Sequence, residues 1–114
     1  MKVDLSYLED ITGGDKEMML EMLNLFIEDI PYQVEKIKEA AEEKNMKSLG
    51  TESHKLKPTL QYVGLNEMYE LVKKLEAAGK SDEFSNEIDI LVQDLVNNLN
   101  ISLPLLEATT EKFK

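Results

Sequence analysis

Residues 45–64 read Asn45-Met46-Lys47-Ser48-Leu49-Gly50-Thr51-Glu52-Ser53-His54-Lys55-Leu56-Lys57-Pro58-Thr59-Leu60-Gln61-Tyr62-Val63-Gly64. Apolar or small residues recur at Met46, Leu49, Ser53, Leu56, Leu60 and Val63, in alternating steps of three and four. That spacing is one buried stripe of a helix with 3.6 residues per turn. His54, the only histidine of the chain, lies off the stripe. Its neighbours one turn away in either direction are Gly50 and Pro58, and Lys47, Lys57 and Gln61 share its side. The histidine is therefore expected to face outward, between two positions without a long side chain. The ordinary reading is a surface histidine. Two features weigh against it. A helix-interior glycine costs about 1 kcal/mol relative to alanine, and Pro58 deprives the His54 carbonyl of its usual intrahelical donor. Both point to access at His54.

The flanking sequence repeats the helical pattern. Asp4 to Thr12 predicts a short helix with Leu5, Leu8 and Ile11 on one side, ended by Gly13-Gly14. Asp15 suits the N-cap of the next helix, which carries Met18, Met22, Phe26, Ile30, Val34, Ile37 and Ala41 as its stripe and Met19 as a further core residue. The stripe survives Pro31, so one long kinked helix, or two nearly in line, is expected to end near Lys44. Asn45 caps the central helix and Gly64 closes it. Asn66 is expected to cap a helix with Met68, Leu71, Val72, Leu75 and Ala78 inward, and Gly79 to stop it. Ser81 or Ser85 starts the last helix, with Phe84, Ile88, Leu91, Leu95, Leu99 and Leu103 on its stripe and Ile90, Val92 and Val96 widening it. Pro104 is expected to bend that helix and the residues from Glu111 to fray. No segment alternates as a half-buried strand does. The expected fold is all-α: an antiparallel four-helix bundle with a short N-terminal helix packed on it, one domain over residues 1–114.

Composition narrows the function classes. The chain has 114 residues, 42% hydrophobic and 32% charged, with no cysteine or tryptophan. It can bury one core, and disulfides and thiolate metal sites are excluded. No apolar run reaches membrane-spanning length, and Met1-Lys2-Val3-Asp4 is not the start of a signal peptide. A cytoplasmic protein without a membrane partner is expected. The net charge of −10 argues against nucleic acid. Locally the balance reverses: from Lys44 to Gly64 four lysines (Lys44, Lys47, Lys55, Lys57) face one acid, Glu52, a net +3. Such a field around His54 suits an anionic group.

Other motifs carry little. Gly79-Lys80-Ser81 resembles the end of a phosphate-binding loop, but position 74 is Lys74 where that motif needs glycine, and a helix precedes it. One histidine does not build a typical zinc site, and the acids lack calcium-loop spacing. The acid pairs Glu9-Asp10, Glu28-Asp29 and Glu42-Glu43 read as solvated helix surface.

Ser53-His54-Lys55-Leu56-Lys57, followed by Gly64-Leu65 and then Leu71, Leu75 and Glu76, resembles the histidine-containing phosphotransfer (HPt) domain family. Its signature is a helix with His-x-Leu-Lys, a glycine about ten residues on, and a further helix with a Leu-Glu pair. The resemblance extends over roughly Leu5 to Leu99. It departs at Pro58, where many members have glycine or another small residue. The resemblance implies a phosphorelay intermediate. His54 would accept a phosphoryl group from a receiver-domain aspartate and pass it to another. Lys57 would offset the phosphoryl charge with support from Lys55, and Gly50, Pro58, Gln61 and Lys47 would form the docking surface. It also implies receiver domains of hybrid sensor kinases and response regulators as partners, a monomer, no cofactor of its own, and a divalent metal held by the receiver. No ATP-binding glycine motif is present, so a kinase is not expected. The competing readings are a bundle that binds a receiver or partner helix without carrying phosphate, and a structural bundle that oligomerises.

Overall fold

A computed structural model describes residues 3–81 and 83–114 of the chain. Its five helices are α1 (Ser6–Thr12), α2 (Lys16–Glu42), α3 (Met46–Tyr62), α4 (Asn66–Gly79) and α5 (Asn86–Glu111). Helix α2 packs on α3, α3 on α4, α4 on α5 and α5 on α2, so the four long helices close a ring. Links of a few residues make neighbours antiparallel. At 1.5 Å per residue α2 is about 40 Å long, which accounts for the 44 Å long axis of the molecule. Helices α3 and α4 are much shorter, so α2 and α5 run past them at the end where α1 sits against α2 and α3.

Local chemistry sets the helix ends. The Asp15 carboxylate accepts from the Met18 amide at 3.0 Å, and the Asn45 side-chain oxygen accepts from the Ser48 amide at 3.1 Å. Each satisfies an amide left without an intrahelical partner. Helix α2 ends two residues before Lys44, which takes a left-handed φ of 55°. Gly64, at φ 69°, ends the turn after α3, and the Leu65 amide reaches back to the Leu60 carbonyl at 3.0 Å. A side chain at Gly64 would also collide with Asp4, whose amide bonds the Val63 carbonyl at 3.0 Å and straps the N-terminal segment to this turn.

The core contains Leu8, Leu23, Ile30, Ile37, Leu49, Leu56, Leu60, Met68, Leu75, Ile88 and Leu95, all essentially inaccessible. The α3 stripe is as expected, with Leu49, Ser53, Leu56 and Leu60 buried. Elsewhere the structure corrects the sequence reading. On α2 the buried face starts at Met19 and Leu23, while Met18 is 48% exposed and Met22 only half-buried. Ile11 and Ile90 face solvent, Ile90 at 61%. Leu65 rather than Asn66 is the N-cap of α4, with no side-chain cap bond. Gly79, by contrast, is the last residue of α4, which stops there as expected, with Lys80 as the C-cap. At Pro31 the expectation of one long helix holds, since α2 is continuous there, and α5 is likewise continuous across Pro104. Thr110 is buried, with its hydroxyl on the Leu106 carbonyl, and α5 ends at Glu111; of the residues expected to fray, Phe113 is partly buried against the core.

Candidate functional site

His54 stands at mid-length of α3, on the side away from the buried stripe, with 72% of its side chain exposed. The helix continues through Pro58 to Tyr62, so the proline does not end the element that carries the histidine. Across the α3–α4 contact, Glu76 of α4 brings one carboxylate to two partners. Its Oε2 lies 2.5 Å from His54 Nδ1, and its Oε1 lies 2.5 Å from Lys57 Nζ. His54 and Lys57 are three residues apart and therefore lie on one helical face. Only 13% of the Glu76 side chain is exposed.

The electrostatics follow from this geometry. The hydrogen bond from Lys57 holds the Glu76 carboxyl below the usual carboxylate range; partial burial opposes this, and the His54 contact adds to it. The same bond, partly offset by burial, raises the Lys57 ammonium above its ordinary value. Glu76 is thus an ionised acceptor at neutral pH. A carboxylate accepts only, so the imidazole is placed with its proton on Nδ1, donated to Glu76. Nε2 then carries the lone pair.

His54 also borders a cleft of about 410 Å³ between α3 and the end of α4, lined by Lys47, Gly50, Thr51, Lys55, Glu76, Gly79 and Lys80. The residues expected around His54 are therefore distributed unevenly. Lys47, Gly50 and Lys55 share the cleft with it. Pro58 and Gln61 are exposed farther along α3 and do not line the cleft. Lys55 sits 3.5 Å from Glu52 of its own helix, and Lys57 is tied to Glu76 rather than free. Glu76, Thr51, Gly79 and Lys80 were not among the expected site residues. Glu76 had a sequence signal in the Leu75-Glu76 pair, because a carboxylate next to a buried leucine sits at the edge of a helix interface. Among the described residues, no group of three or more His, Asp or Glu is arranged to hold a metal ion.

The family model for the Hpt domain matches residues 21–102. The chain belongs to the Hpt domain family. Relatives agree with this. The phosphorelay intermediate protein rdeA of Dictyostelium discoideum is 29% identical over 82 residues, covering 72% of this chain and 32% of that protein. The chain thus spans about a third of the length of the curated relative it matches. Two solved Hpt structures share the fold. The HPT domain of a sensor hybrid histidine kinase from Shewanella superposes with a TM-score of 0.80 at 19% identity, over 96% of this chain and 94% of that one. Histidine-containing phosphotransfer protein B from Pseudomonas aeruginosa gives 0.86 at 15% identity, over 98% and 96%. Among the described residues, no helix of this Hpt domain is long and apolar enough to cross a membrane.

Proposed function

We propose that this chain is a phosphorelay carrier in which His54 takes a phosphoryl group from a receiver-domain aspartate and yields it to a second one. The observation that carries the reading is the pairing of a solvent-facing Nε2 with an Nδ1 held on Glu76. The Nε2 lone pair attacks phosphorus as the bond between phosphorus and the aspartate oxygen breaks, and the electron pair leaves with the carboxylate. The ring becomes an Nε2-phosphorylated imidazolium whose Nδ1 proton stays on the Glu76 contact. Glu76 is a positioning residue: it sets the tautomer and balances the charge that forms on the ring. Lys57, held next to the ring by Glu76, lies within reach of an incoming phosphoryl oxygen by rotation of its flexible stem, and Lys55 supports it. Gly50, Pro58, Gln61 and Lys47 belong to the surface on which the receiver lands. Phosphoryl transfer is largely positioning and charge neutralisation; the receiver supplies the divalent metal, and this chain acts as a carrier in the cytoplasm rather than as a kinase.

The test is incubation with phosphorylated receiver domains. Label that is lost in acid and survives base is expected on the wild-type chain and absent from His54→Gln, with the helical circular dichroism of the two unchanged. Binding of a receiver with no label gained would replace this reading with that of a non-phosphorylated interaction module.

A further inference from the structure

The cleft beside His54 has a construction that access to the histidine does not require. Its floor is the crossing of α3 and α4 at Gly50 and Gly79. A Cβ placed on Gly79 would lie 2.5 Å from the Cα and N of Gly50 and 2.9 Å from the Met46 carbonyl oxygen, so the two backbones touch there. The missing Gly79 side chain lets the helices meet, and both glycines line the hollow in the surface beside the contact. Thr51, Lys47, Lys55 and Lys80 line it as well, and its lining is mostly apolar. Lysines bury their stems and keep the ammonium in water, so the hollow is apolar within and cationic at its edge.

Among the described residues, the charge at that edge is only partly neutralised. Lys47 and Lys80 have no ion-pair partner among the described residues, and Lys55 has one long contact to Glu52. The one carboxylate among the described lining residues, Glu76, is already shared by Lys57 and His54. Three lysines thus surround an apolar hollow on a chain whose net charge is −10. An acidic surface is otherwise repelled by this molecule, so the edge of the cleft is where one is attracted.

Resting on the phosphorelay reading, we propose that this cleft is the specificity pocket for the receiver that exchanges its phosphoryl group with His54, and that it takes a protruding apolar side chain bordered by carboxylates on that receiver. The apolar side chain fills the hollow over Gly50 and Gly79. The carboxylates meet Lys47 and Lys80 and fix the rotation of the receiver about His54. Receivers lacking this pairing reach the histidine but do not settle on it.

The test compares two phosphodonors: phosphoramidate, which needs no docking, and a phosphorylated receiver domain that labels the wild-type chain. Lys47→Glu with Lys80→Glu is expected to raise the KM for the receiver about tenfold, with the rate at saturation little changed, and to lower phosphoramidate labelling by a clearly smaller factor. Thr51→Phe, which fills the hollow without altering charge, is expected to act in the same direction and to do so at high salt as well. Lys74→Glu with Lys112→Glu carries the same charge change away from the cleft and is expected to leave receiver transfer within about twofold. Equal effects of the two double variants, or no effect of the cleft variants, would overturn the pocket assignment alone. If no receiver labels the wild-type chain, the phosphorelay reading itself fails, and the pocket assignment with it.

Discussion

Gly50 and Gly79 touch across α3 and α4, yet replacing each by alanine is expected to change stability in opposite directions. Both are helical with ordinary φ, so alanine should gain up to about 1 kcal/mol of backbone propensity at either position, less at Gly79 because it ends α4. The difference lies in where the new methyl points. From Gly50 it would meet Gly79 backbone atoms at 3.6 Å, an ordinary contact. From Gly79 it would meet the Gly50 backbone at 2.5 Å, about 1 Å inside normal carbon contact. Backbone cannot rotate aside as a flexible side chain does, so the helices must separate. Overpacking of this kind costs about 1–3 kcal/mol. Gly79→Ala should therefore destabilise by about 1–2 kcal/mol, a fall in melting temperature of roughly 4–8 °C for a chain of this size. Gly50→Ala should be neutral or raise it by a few degrees. Glu76 lies one turn before Gly79, so the separation should also loosen the Glu76–His54 contact and slow receiver transfer in Gly79→Ala. Urea and thermal melts followed by circular dichroism measure the first effect. A Gly79→Ala protein as stable as Gly50→Ala would refute the close helix crossing on which the site geometry depends.

The remaining predictions concern the ion pairs and the turns. Glu76 is held below its ordinary value and Lys57 above its own, so the stabilisation from their pair is fully present between about pH 4.5 and 10.5; it is lost as pH falls through the depressed Glu76 value or rises through the elevated Lys57 value. Urea melts across pH should show a gap between wild type and Glu76→Gln at neutrality that closes in acid; a gap of the same size at pH 2 would contradict the pairing. Because glutamine can donate to Nδ1 and shift the ring proton to Nε2, Glu76→Gln should also slow transfer from a receiver by on the order of tenfold. Lys57→Ala should slow transfer or shorten the phosphohistidine lifetime more than Lys112→Ala does, and equal effects would remove the local charge role. Gly64→Ala should cost about 1–3 kcal/mol, because it strains a left-handed residue and drives a methyl against the Asp4 carbonyl; an unchanged urea midpoint would mean that the N-terminal strap contributes nothing.

The sequence was most legible where its periodicity alternates steps of three and four. Helix α3 has that rhythm, and its buried face was read residue by residue. Along α2 the apolar residues Met18, Met22, Phe26 and Ile30 invite a reading in steps of four. Each such step overshoots a full turn by about 40°, so over three steps the supposed stripe turns through about 120°. The buried residues Met19, Leu23, Phe26 and Ile30 mix the steps and stay on one face, which leaves Met18 in solvent. Ile90 was misplaced for a related reason: an isoleucine beside Ile88 and Leu91 looks like part of a wide stripe, but consecutive positions diverge by about 100°. At the site, His54 and its small neighbours were visible because they lie on one helix. The Glu76 contact and the Gly50–Gly79 crossing join different helices, and their register depends on packing that no single segment encodes. Gly79 in particular reads as a stop signal from sequence, and α4 does end there, but its lack of a side chain also serves a neighbour 29 positions earlier in the chain.

The imidazole of His54 projects from the midsection of a regular helix whose other side is locked into the core. Among the described residues no loop closes over it and no strained backbone surrounds it, since every positive φ falls at the turns between helices. On the phosphorelay reading, such a site stores no conformational energy when it is loaded and releases none when it is emptied. The carrier then works like a coin rather than a ratchet: it holds value without preferring payer or payee. Which way the group travels would be decided by how quickly each receiver is charged upstream and discharged downstream, and reversing those rates should run the same chain backwards.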